Sequence, residues 1–120
     1  MNPTAEHNEK LAKMTIDKIY PCYVNKIEKK GRTIQELNQA ITWLTGFNDG
    51  DLEAMINQKV SFKTFFEKAN LNPNAHLIKG TICGYRIEEI DNQLTKQIRY
   101  LDKLVDELAK GKKMEKILRK

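Results

Sequence analysis

Between Leu94 and Leu108 the apolar residues Leu94, Ile98, Leu101, Val105 and Leu108 are spaced 4, 3, 4 and 3 apart, the repeat of one face of an α-helix. Leu104 widens the stripe, and Gly111 stands where such a helix should stop. Extended backwards, the stripe takes in Cys83, Ile87 and Ile90, so residues 83–108 read as almost four heptads. Two structures satisfy that pattern. One is a long helix able to pair with a copy of itself; the other, which we favour, is two helices broken near Asp91, a residue suited to an N-cap.

Upstream, Ile16, Ile19, Tyr20, Tyr23, Val24 and Ile27 predict a helix over about 17–30 with Gly31 past its end. Pro21 is at ease only in a first turn, which holds the start close to it. Thr33 to Glu36 has the form of a capping box, and Ile34, Leu37, Ile41 and Leu44 follow as a stripe closed by Gly46. A short helix from Asp49 should bury Leu52, Met55 and Ile56. Ser61 can cap another that carries Phe62, Phe65 and Phe66, with Val60 placed to staple its first turn. The run "LNPNAHLIKGTICGYRIEEI" admits a strand, but Asn72 before Pro73 suits a helix start, and Ala75, Ile78, Ile82 and Tyr85 are spaced 3, 4 and 3. A lone strand there would lack a hydrogen-bonding partner, so a helix from 73 to about 90 is expected. The expected fold is all-α: a flexible lead-in over 1–15, then a single compact helical domain over 16–120. That domain should hold five to six helices and end in a long C-terminal helix or helix pair, with Ile19, Tyr23, Trp43, Met55, Ile82 and Leu94 among its core residues.

A chain of 120 residues, 40% hydrophobic and 31% charged, suits one core. The N-terminal run lacks a signal-peptide apolar segment, and nowhere do about 18 apolar residues run together. A cytoplasmic protein without membrane contact is therefore expected. Cys22 and Cys83 have no CxxC partner, so they should stay reduced, buried as small hydrophobes. Two cysteines 61 positions apart are no zinc site, and no phosphate-binding glycine motif occurs; no metal or cofactor is expected. Ser61, the sole serine, is accounted for by capping, and on a helix His76 and Cys83 would stand about 10 Å apart along the axis. No catalytic residue is assigned.

The net charge of +5 is unevenly spread. Residues 1–32 hold seven Lys/Arg against four Asp/Glu, 33–58 none against four, and 99–120 eight against four. A helix-turn-helix over 34–58 would present Asp49, Asp51 and Glu53 to phosphates, which argues against nucleic-acid recognition there. Three readings follow. The leading one is a small non-enzymatic binding or interaction protein, either a homo-oligomer formed through the 83–108 stripe or the mate of an unknown protein partner. The second is a small-ligand protein or enzyme with a pocket lined by Cys83, Tyr85, Arg86 and Glu89. The third is weak, non-specific nucleic-acid contact through the basic ends.

The runs "KKGRTIQELNQAITWLTGF", "FKTFFEKA", "CGYRIEEI" and "IRYLDKLVDELAKGKKMEKILRK" resemble a bacterial family known as domain of unknown function 2200, from Tyr20 to Arg119. The resemblance implies a small stand-alone cytosolic protein. It implies no reaction, cofactor or catalytic residue.

Overall fold

The computed structural model describes residues 2–120. Among them the chain forms helices α1 (Ala5–Lys13), α2 (Ile16–Glu28), α3 (Ile34–Thr45), α4 (Asp49–Asn57) and α5 (Phe62–Lys68). An antiparallel hairpin follows, β1 (Thr81–Ile82) with β2 (Tyr85–Arg86), then α6 (Gln93–Ala109) and α7 (Met114–Ile117). The apolar period of α6 does what its spacing predicts: Ile98, Leu101, Leu104, Val105 and Leu108 are at most 1% exposed. Around α6 pack α1, α2, α3, α5 and α7. The stripe therefore lies inside the chain's own core, leaving little of it for a second copy.

Local signals explain most helix boundaries. Thr33 Oγ1 accepts from the Glu36 amide at 3.2 Å and Glu36 Oε1 accepts from the Thr33 amide at 3.0 Å, the capping box read from the sequence. Asn48 and Asp51 form a second one at the start of α4. Gly46 ends α3 at φ 75°, and a Cβ there would come within 2.9 Å of the Asn70 carbonyl oxygen. Pro21 lies beyond the first turn of α2, since that helix already begins at Ile16. The α1–α2 junction is pinned to the α4–α5 junction, with Ile16 N donating to Val60 O and Phe62 N to Met14 O, both at 2.8 Å.

The expected helix over 73–90 is absent. Ala75–Leu77 and Ile87–Glu89 are single 3-10 turns, and between them the chain doubles back with Thr81 opposite Arg86 and Ile82 opposite Tyr85. The strand thus finds its partner in the segment that immediately follows it, so it is not a lone strand. Cys83 at φ 53° and Gly84 at φ 83° make the two-residue turn, the type I′ pattern that matches strand twist. Both cysteines are exposed rather than buried. The break near Asp91 is present, with Asn92 as the N-cap of α6. Residues 2–15 are not simply a lead-in: Thr4 caps α1, and Asn2 Oδ1 accepts from the Asp91 amide at 2.8 Å. Met1 lies outside the described residues. Ile19, Tyr23, Trp43, Met55, Ile82 and Leu94 are partly buried flanks of the core, whereas Ile16, Phe62, Ile87 and Ile117 are within it.

Because Cys83 holds a left-handed conformation that costs an ordinary residue about 1–2 kcal/mol, Cys83→Asn should raise stability by about 0.5–1 kcal/mol, asparagine being at home there. Gly46→Ala should lower stability by about 1–2 kcal/mol or more, from the same strain plus the clash. Urea denaturation of both variants checks the opposite signs.

Candidate functional site

α6 carries two charged residues one turn apart, Arg99 and Asp102, into a largely buried setting. The Arg99 Nη1 donates to Asp102 Oδ2 at 2.8 Å, and the Tyr23 hydroxyl of α2 donates to Asp102 Oδ1 at 2.6 Å. The other guanidinium nitrogen, Nη2, lies 3.2 Å from His7 Nε2 of α1. Arginine only donates, so His7 Nε2 accepts and the ring proton of His7 sits on Nδ1. The Tyr85 ring of β2 stands 6.0 Å from the Arg99 guanidinium carbon and 6.1 Å from the His7 ring. Among the described residues Arg99 Nε is buried without a partner. Nearby, the fully buried Thr95 donates its hydroxyl to Asn8 Oδ1 at 2.6 Å.

Burial raises the Tyr23 pKa well above tyrosine's ordinary value, and the Asp102 carboxylate adds to the rise. The hydroxyl is thereby kept as a donor, and Asp102 offsets the Arg99 charge. This cluster joins α1, α2, α6 and the hairpin as a strut. Among the described residues Cys83 makes no hydrogen bond, and the Cys22 thiol donates to the Lys18 carbonyl at 3.5 Å.

The four residues singled out from the sequence do not line one face, because the helix that would have aligned them is a hairpin. Tyr85 is half-buried in the cluster, Cys83 is exposed at the turn, and Arg86 and Glu89 form a surface ion pair at 3.5 Å with side chains 57% and 55% exposed. Further along α6 the charged side chains are also engaged. Lys110 pairs with Asp106 at 3.0 Å, but Lys103 donates to the Thr81 carbonyl, and the buried Glu107 is gripped by Arg119 at 2.8 and 2.7 Å.

Between α1, α5 and the start of α6 lies a groove of about 520 Å³. Ala5, Ala12, Phe66 and Leu94 supply its apolar surface, Asn8, Asn92, Gln93 and Gln97 its amides, and Lys63, Glu9 and Glu67 its charges. One wall is α1, which lies in the segment expected to be a flexible lead-in. The available signal was Thr4 as an N-cap before Ala5. No group of three or more His, Cys, Asp or Glu among the described residues is placed to hold a metal. No helix among the described residues is long and apolar enough to cross a membrane.

Because Tyr23 keeps its proton more tightly when folded, its contribution to stability is complete below the unfolded value near pH 10 and declines as the pH rises towards the higher folded value. Urea midpoints between about pH 8 and 11 should fall at the alkaline end, and Tyr23→Phe should fall less steeply. A slope identical to that of the unaltered chain would rule out this role for Tyr23. Tyr20 and Tyr100, also raised by burial, leave a residual slope.

No protein with a curated description matches the chain. The crystal structure of the uncharacterized protein SP1917 is similar, with a TM-score of 0.86 and 41% identity over 92% of this chain and 91% of that one. The sequence model of a family described as "uncharacterized protein conserved in bacteria", domain of unknown function 2200, matches residues 10–119. With nearly its whole length so matched, the chain belongs to this bacterial family.

Proposed function

We propose that the protein is a non-enzymatic binding protein of the cytoplasm and that it holds a small molecule in the groove between α1, α5 and α6. The observation that carries this is the chemistry of the lining. Four amides stand around an apolar surface of Ala5, Ala12, Phe66 and Leu94, and the lining contains no His, Cys, Ser, Thr or Tyr. Gln93 and Gln97 can both donate and accept, whereas Asn8 and Asn92, whose Oδ1 atoms already accept from Thr95, offer chiefly their amide N–H groups. That set supports orienting a ligand with an apolar body and neutral polar edges. The volume of about 520 Å³ lies within the usual range of small-molecule sites, roughly 300–1,000 Å³. Self-association enters this reading only through a surface other than residues 94–108.

One observation favours the alternative of a ligand near Cys83, Tyr85, Arg86 and Glu89: the partnerless Arg99 Nε lies close to the Tyr85 ring. The same experiment separates the two. In a fragment screen by nuclear magnetic resonance on the isotopically labelled chain, amide-bearing aromatic fragments should shift the backbone signals of Ala12, Leu94 and Gln97. Ala12→Trp, which fills the groove, should abolish the response. Shifts confined to residues 81–89 would move the site to the hairpin, and an absence of saturable shifts anywhere would end the groove reading.

A further inference from the structure

The two basic ends of the sequence are neighbours in the fold. Arg32, just past α2, donates to the carbonyl of Lys112 at 2.7 Å and to that of Leu108 at 3.2 Å. Asp106 of α6 is held by Lys26 at 3.4 Å and by Lys110 at 3.0 Å, one cation from each segment. Residues 26–36 and 106–120 together hold ten Lys/Arg against five Asp/Glu, a surplus equal to the net charge of +5. The rest of the chain, with eleven of each sign, is neutral.

Three of those five carboxylates are already engaged within the protein. Glu36 is paired with Arg32 at 2.9 Å, Asp106 with the two lysines, and Glu107 with Arg119 and Lys112. Although burial alone pushes Asp106 up, Lys110 and Lys26 hold its pKa below the ordinary value, so it stays ionised and paired. Left over are the exposed lysines Lys29, Lys30, Lys113, Lys116 and Lys120, none with an ion-pair partner among the described residues, against the exposed Glu28 and Glu115.

Helix C-termini attract cations in any protein, but here Arg32 already occupies the carbonyls at the end of α6, and five further lysines have no such task. We propose that residues 26–36 and 106–120 form one surface that binds the phosphate backbone of double-stranded nucleic acid. Neither segment contains an aromatic residue, so base stacking of the kind that holds single strands is not available. Ile117 and Leu118 are 0% and 5% exposed and Met114 is partly buried, which leaves Ile34, at 39%, as the exposed large apolar side chain of the two segments among the described residues, too little for the hydrophobic anchor a membrane surface needs.

The test is fluorescence anisotropy of the full chain with a labelled DNA duplex and an RNA duplex of the same sequence. Both should bind at about 50 mM salt, and affinity should fall about a hundredfold by 200 mM, the slope for roughly four neutralised phosphates. The triple variant Lys29→Glu, Lys30→Glu, Lys113→Glu should lose at least about tenfold in affinity, whereas Lys10→Glu, Lys13→Glu, Lys68→Glu, with the same change in charge, should lose far less. Circular dichroism melting establishes that each variant is folded, and the corresponding glutamine variants replace any that is not. The proposal is overturned by no binding at about 100 μM protein in low salt, by equal losses in the two triple variants, or by binding to phosphatidylserine vesicles without binding to either duplex.

Discussion

The burial of α6 is the constraint from which the rest of the architecture follows. With five helices packed against it, this helix has little solvated surface over most of its length, so even its polar residues must be satisfied by the protein. Thr95 draws in Asn8 of α1, Arg99 draws in His7, Asp102 draws in Tyr23 of α2, and Glu107 draws in Arg119 from the C-terminal end. α1, α2 and the C-terminal end are thus fixed by apolar contact and further tied by polar bonds to the central helix. A buried ionised group deprived of its partner is costly, and these bonds therefore set angles and registers that hydrophobic contact alone leaves loose.

The same constraint separates what was legible in the sequence from what was not. The α3 and α6 helices announce themselves because their signals are local: a capping box at Thr33, and an apolar period that recurs every three or four residues. The hairpin does not. Ile78, Ile87 and Ile90 are buried one at a time along an irregular path, while the spacing of Ala75, Ile78, Ile82 and Tyr85 happens to satisfy a helical template. Cysteine in a left-handed turn is no recognised signal, so the turn at Cys83 was hidden even though its glycine was visible. The helix α1 was missed for a different reason. It has no fully buried residue, and much of its attachment rests on side-chain bonds from Asn2, His7 and Asn8, which leave no period to read.

The candidate sites follow suit. Grouping Cys83, Tyr85, Arg86 and Glu89 depended on a helical face, and once the backbone turns at Cys83 only Tyr85 stays with the charged cluster. The groove needs α1, and the basic surface needs two segments some 80 positions apart to meet, as the Arg32 to Lys112 bond has them do. Neither is a property of any one stretch of sequence. Composition registered the charge excess, and the tertiary structure brings the two segments that carry it into contact.

That Arg32 bond also bears on the order of events in folding. A single guanidinium reaches carbonyls 76 and 80 positions further along the chain, which is useful only after α6 has formed and its end has come to rest beside the end of α2. Loop-closure entropy opposes so distant a contact until other packing has brought the ends together. A tie made that late does little to hasten folding. Its stabilisation acts chiefly on the native side of the barrier, so its effect is to slow escape from the folded state.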